Sequence, residues 1–314
     1  MRVATDSYTN TFISEVNALS SQMNTLQNNV STGLDVHSPS DNPDAMETTL
    51  NDLTSQSAQE QYTNNITSLQ SQANSNYSVL QSLQSIVSQA QSIATEAGSA
   101  TVTQSNLNDY AGQITSLIQQ AVQLANSQNP ETGQYLFGGT NSGQQPFTAT
   151  TDANGNVTAV TYQGNSSVNQ AEIAPGVAIS VGVPGTNSSG TGPQGLITDS
   201  RTGADLFNHL ISLQNDLLSG NTSAVTSTDS QSLRNDENNV TYQVAYNGNV
   251  QTRLETASSF ASSQSQSLTQ GISNASSTDV VQAMIQLNQT QAAYEAALET
   301  TSRVMQISLV NFLG

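Results

Sequence analysis

Apolar side chains near the start of the chain fall at Phe12, Val16, Leu19, Met23, Leu26 and Val30, in steps of four, three, four, three and four. That spacing predicts a helix over residues 5–32 carrying one narrow stripe, the seam of a coiled coil rather than the broader face of a helix on a globular core. At 1.5 Å per residue the helix spans about 42 Å. Between the seam positions lie mainly Ser, Asn, Gln and Thr, so the stripe needs a partner. The far end of the chain offers one. Val280, Met284, Leu287, Tyr294, Leu298 and Met305 share a heptad track on a final helix, with Leu309 beside it.

Directly after the first seam comes "STGLDVHSPSDNPDAM", residues 31–46, which breaks the helical spacing on both of its sides. Gly33 suits the left-handed conformation that closes a helix. Pro39 pushes its predecessor out of helical geometry. Asn42 reads as an N-cap with Pro43 at the first helical position, and Asp44 and Glu47 complement the new helix dipole. Together with Asp41 these residues predict a stop, a shaped loop and a restart.

The restarted helix is expected over 43–97. Its later part carries Ile66, Leu69, Ala73, Asn76, Leu80, Leu83, Val87, Ala90, Ala94 and Ala97 at steps of three or four. Asn76 is the one polar member, and a lone Asn in such a seam is expected to fix register. A third helix, 104–128, comes after a turn at Gly98 and packs antiparallel. Near residue 130 the texture shifts to Gly, Thr and turn dipeptides. Asn154-Gly155 and Pro175-Gly176 each separate short strand-like runs, predicting two hairpins, and "VPGTNSSGTGPQG" reads as an exposed loop. Helices are expected again over 203–219 and 229–272, with Ser277 or Thr278 capping the last one.

The expected fold is therefore mainly α with a small β-rich insertion, its N- and C-terminal segments forming long antiparallel helices. The divisions are 1–42, a helix and loop; 43–130, a helical rod; 131–202, a β-rich outer part; 203–275, a returning rod; and 276–314, the closing helix.

Composition sharpens this picture. Only 35% of the 314 residues are hydrophobic and 5% aromatic, with no Trp, so apolar burial is confined to narrow seams or to partners. The net charge is -18, and all five basic residues are Arg, which makes nucleic acid and anionic membrane surfaces poor partners. Charged residues make up 9%, so Ser, Thr, Asn and Gln provide solubility. Neutral polar groups keep that role where carboxylates become protonated, below about pH 4, so an acidic external medium is one reading and drift in base composition the alternative. There is no Cys, hence no disulfide framework or thiolate site. No run of about 18 apolar residues offers a membrane span, and the N-terminus lacks the apolar stretch of a cleavable signal.

Catalytic and metal chemistry finds no footing. His37 and His209 are the only histidines, and no paired-His spacing occurs. "FGGTNSG" lacks the Lys of a phosphate loop, and "TDANGNV" lacks the Glu of a calcium loop. Glu295 and Glu299 read as a solvated strip. No catalytic, cofactor-binding or metal-binding residue is expected.

Several separated motifs carry a resemblance. "STGLDVHSPSDNPDAM", "GQYLFGGTNSGQQPF", "TYQGN", "EIAPGVAISVGVPG" and the closing "DVVQAMIQLNQTQAAYEAALETTSRVMQISLVNFL" are similar to those of the bacterial flagellin family. Within it the likeness is to the hook-associated group at the hook-filament junction. Asn42 stands where that pattern has a second Asp. The resemblance implies an elongated, flagellin-like structural subunit, exported unfolded to the outside of the cell. It further implies an export chaperone on the C-terminal helix, a homo-oligomeric ring, and contacts with a neighbouring junction protein and flagellin. Filament-forming flagellin is the alternative, and a secreted glycan-binding or enzymatic module at 134–200 a more distant one. On this resemblance Phe12, Val16, Leu19, Met23, Leu26 and Val30 pair with Met284, Leu287, Tyr294, Leu298 and Met305. Ordering backbone costs roughly 1–2 kcal/mol per residue. One buried seam residue in three or four returns roughly 1.5–3 kcal/mol each. The terminal helices are thus expected to order fully only against neighbouring copies.

Overall fold

A computed structural model describes the backbone of residues 2–313 and the side chains of residues 10–303. Helix dominates, at 66% of the chain. The contacts divide the chain into two compact units, residues 1–58 with 263–314 and residues 59–262.

The first unit holds α1 (Arg2–Thr32), the start of α2 (Pro43–Ala97), the end of α6 (Ser230–Ser276) and α7 (Val280–Leu313). The break between α1 and α2 forms for the reasons legible in the residues. Gly33 is left-handed at φ +73, and its N–H donates to the Asn29 carbonyl at 2.8 Å. Asn42 caps α2, its Oδ1 accepting from the Ala45 N–H at 3.2 Å. The cap of α7 is Asp279 rather than Ser277 or Thr278. Its Oδ1 accepts from the N–H groups of Val281 (3.0 Å) and Gln282 (3.1 Å), and its charge adds a dipole interaction that a hydroxyl lacks.

The second unit packs the remainder of α2 and α6 with α3 (Gln104–Ala125), α4 (Leu206–Ser219) and the short α5 (Thr222–Ala224). A π-helical segment, Val225–Asp229, leads into α6. Thr103 caps α3, and Gly220 closes α4 in the left-handed conformation. The main core joins Leu80, Leu83, Val87 and Ala90 of α2 with Ile114 and Ile118 of α3, Leu210 and Leu213 of α4, and Leu233 and Val240 of α6. Residues 203–205, expected to start α4, lie before it, with Ala204 and Asp205 forming strand β7.

The β-rich part has three small sheets. β1 (Phe147–Thr151) pairs antiparallel with β2 (Val157–Tyr162), turning at Gly155, φ +85. β3 (Ala171–Ala174) pairs antiparallel with β4 (Val177–Ile179), turning at Gly176. β5 (Thr186–Asn187), β6 (Thr198–Asp199) and β7 (Ala204–Asp205) form the third sheet. Phe147 is buried and meets Tyr162 at 4.9 Å and Phe207 at 5.4 Å between ring centroids, which ties β1–β2 to α4. Ile173, Ile179 and Val181 form a second core with Ile66, Leu69 and Ala73 of α2 and Val250 and Leu254 of α6. Both hairpins thus cover helices with one face.

The motifs "YLFGG" and "TYQGN", apart in sequence, meet here. The Tyr162 hydroxyl lies 2.9 Å from the carbonyls of both Phe137 and Asn165, and Asn165 N–H donates to the Gly138 carbonyl at 3.2 Å. Gly139 has φ +68, and a Cβ there would collide with the Asn165 carbonyl oxygen. Only glycine fits that approach.

Candidate functional site

In the first unit α1 packs against α7, and the two run in opposite directions. The loop end is pinned by backbone. Leu34 bridges to Ser277, Asp35 N–H donates to the Ser276 carbonyl at 2.8 Å, and Thr278 N–H donates to the Gly33 carbonyl at 3.0 Å. Asn29 Nδ2 donates to Asp35 Oδ1 at 2.9 Å, closing the corner. Within the loop the Asp41 carboxylate accepts from the N–H groups of His37 (3.0 Å) and Ser38 (2.8 Å). These bonds, the His37 one foremost, hold its pKa below the usual carboxylate value. Pro39, Asp41, Asn42 and Pro43 are all exposed.

The stripe on α1 faces inward as spaced: Leu26 is buried, and Phe12, Val16, Leu19, Met23 and Val30 are half-buried. On α7 the inward positions are Ala283, Leu287, Thr290, Tyr294, Ala297 and Thr301, again at steps of four, three, four, three and four. Leu287 and Tyr294 therefore lie where the spacing put them. Met284 and Leu298, expected in the seam, are instead exposed at 51% and 44%. The larger apolar side chains mislead here, because small Ala and Thr occupy alternate seam positions. The side chains of Met305 and Leu309 lie outside the described residues.

Two features of this pair bear on assembly. Burial is deepest at the loop end, where Leu26, Asn29, Val36 and Ala283 are buried, and becomes partial from Met23 back to Phe12. In addition, Val281, Met284, Ile285 and Leu298 on α7, Ile13 on α1, and Leu50 and Leu53 on α2 are large, apolar and exposed. Exposed apolar side chains in this number are candidates for an interaction face.

The histidines have ordinary partners. His37 Nε2 lies 2.8 Å from Thr32 Oγ1. His209 Nδ1 lies 2.8 Å from Asp236 Oδ2, and the other Asp236 oxygen accepts from the Asp205 N–H at 2.9 Å. Burial opposes charge on His209, yet the hydrogen bond to Asp236 and the nearby carboxylates of Asp236, Asp205 and Asp229 raise its pKa overall. Asp229 is almost wholly buried, and burial pushes its pKa up to about 6. Glu299 pairs with Arg303 at 2.6 Å on the surface. Among the described residues no cluster of three or more His, Asp or Glu could hold a metal ion, and no helix is long and apolar enough to cross a membrane.

Residues 3–142 match the family described as the bacterial flagellin N-terminal helical region. The N-terminal part of the chain is thus similar to that of flagellins. Its fold is similar to that of solved flagellar proteins. A Vibrio parahaemolyticus chain described as a flagellar hook-associated protein aligns with TM-score 0.64 and 21% identity, covering 76% of this chain and 100% of that one. Bacillus cereus FlgL aligns with TM-score 0.55 and 18% identity over 70% of this chain and 97% of its own. Xanthomonas campestris FlgL gives TM-score 0.55 and 18% identity over 69% and 98%. No match is found among curated protein sequences. In this flagellin-like chain the matched N-terminal region contains α1 and the loop, the same residues that form one side of the site.

Proposed function

We propose that this chain is a structural subunit of the bacterial flagellum that joins hook to filament. It leaves the cell unfolded through the flagellar export channel, with an export chaperone holding α7 beforehand. Outside, copies assemble as a ring between a neighbouring hook-associated junction protein and flagellin. Residues 1–42 and 276–314 form the assembly core, 43–130 and 203–275 the helical rods, and 131–202 the β-rich outer part. Phe12, Val16, Leu19, Met23, Leu26 and Val30 close the intramolecular seam with Leu287 and Tyr294. Met284 and Leu298 face the neighbouring copies.

The observation that carries this reading is a terminal helix pair that closes its own seam only partly and leaves apolar side chains bare, in a chain whose residues 3–142 match the flagellin N-terminal helical region. Deleting the gene tests it: cells should bear hooks without filaments and shed flagellin into the medium. Normal filaments on the deletion strain would overturn it. The flagellin match itself favours a second reading, a filament subunit. Purified chain that grows long filaments unaided would support that alternative.

A further inference from the structure

We infer that the second unit carries a binding site for a neutral hexose unit of a polysaccharide, built on Tyr242 and Tyr246. This stands apart from the junction role, since it rests on different residues. The two tyrosines lie one turn apart on α6, with ring centroids 6.4 Å apart and planes 14° from parallel. Both are exposed, at 49% and 41%. Alone, such a pair is common on a helix surface. Here, with Gln243 of the same helix, it forms one side of a concave site of about 170 Å³ that is also lined by Pro184, Pro193 and Arg201.

The opposite wall is rigid before any ligand arrives. Buried Asn187 donates from Nδ2 to the carbonyls of Thr191 and Pro193, both at 2.6 Å. Buried Asp199 accepts from the Gly195 N–H at 2.9 Å and from Arg201 Nε at 2.9 Å and Nη2 at 2.6 Å. Arg201 Nη1 donates to the carbonyl of Gly192 (φ +78) at 3.0 Å. From α6, Gln243 donates to the Gln194 carbonyl at 2.8 Å, tying the tyrosine helix to this wall. A wall fixed in this way loses little conformational freedom on binding.

The chemistry selects the ligand. Parallel aromatic faces take the C–H face of a sugar ring and pack against it. Of the five guanidinium N–H groups of Arg201, three are engaged as above, leaving two for ring or hydroxyl oxygens. Arg201 is the one charged side chain lining the site among the described residues, and Asp199 neutralises it at 2.6 Å. With a net charge of -18 on the chain, an acidic sugar is repelled. The volume is below the roughly 300–1,000 Å³ of sites for larger ligands, which fits a single ring better than an extended proline-rich peptide.

The test uses the full chain against immobilised glucose, galactose and mannose oligosaccharides, with sialylated and uronic oligosaccharides and decaproline as contrasts. Wild type should bind a neutral oligosaccharide. The doubly substituted Tyr242→Ala, Tyr246→Ala chain, with unchanged melting, should bind it about tenfold more weakly or worse. Tyr242→Phe, Tyr246→Phe should keep most of the affinity. The inference fails if no neutral oligosaccharide binds, if the alanine substitutions leave binding unchanged, or if an acidic sugar or decaproline is preferred.

Discussion

The side-chain amide of Asn76 donates to the carbonyl of Val181 at 2.8 Å, joining the middle of α2 to the chain just beyond β4. Asn76 is fully buried in a seam otherwise apolar, where its spacing predicts a role in setting register between helices. It satisfies a backbone acceptor of the β-rich part instead. Asn76→Ala orphans that buried carbonyl and should cost about 1–3 kcal/mol, read from urea unfolding of the whole chain. A loss well below that would mean the carbonyl finds another donor.

Gly139→Ala should be more damaging than an ordinary surface change. The added methyl meets the Asn165 backbone at a positive φ, so the contact between "YLFGG" and "TYQGN" must open. Thermal melting should drop by several degrees, while Gly143→Ala, with open space around it, should change little.

Stability of the second unit should be highest at mildly acid pH. Asp229 binds its proton more tightly folded than unfolded, so its contribution is full below its ordinary value of 3.8 and is lost as pH rises to about 6. That loss is at most about 3 kcal/mol. Burial also raises Asp236, and the raised His209 loses its contribution as pH climbs past its ordinary 6.5. Asp199 runs the other way: burial opposes its charge, but hydrogen bonds from Arg201 and Gly195 win and lower its pKa. Its contribution is therefore lost as pH falls below 3.8. Unfolding free energy should peak at about pH 4 and decline toward 7. Asp229→Asn should flatten the part between about 4 and 6. A profile rising steadily to pH 7 would refute the assignment, and with it the acid-medium reading of the sparse charge.

Along α1, amide hydrogen exchange should report a gradient. Protection near Leu26, where the seam is buried and the loop is pinned, should exceed protection near Phe12 in a dilute monomer. Assembly with neighbouring copies should erase the difference. Uniform strong protection in the monomer would show that α1 needs no neighbours.

Much of this is legible from local chemistry. Gly33, Asn42 and Pro43 announce the helix break because each acts through its own backbone. Asn154-Gly155 and Pro175-Gly176 announce the hairpins in the same way, and the α1 stripe comes from spacing alone. The rest needs long-range placement. The inward face of α7 is chosen by how closely Ala283, Thr290 and Ala297 fit α1, a matter of shape that favours small residues over Met284 and Leu298. "VPGTNSSGTGPQG", expected as an exposed loop, is stapled by the buried Asn187, which only the fold brings under its carbonyls. His209 and Asp236 lie 27 residues apart, and Tyr242 and Tyr246 reach their Pro-rich wall only when α6 packs against it. No periodicity encodes such meetings.

The bare edge of α7 is the most direct place to test the junction assignment. Met284→Glu with Leu298→Glu, expressed in the deletion strain, places charge on an exposed face and leaves the buried seam intact. The measurement is the fraction of hooks bearing filaments by electron microscopy, alongside the melting temperature of the purified variant. The account predicts unchanged melting, export into the medium, and hooks left bare. Filaments at wild-type frequency would contradict it.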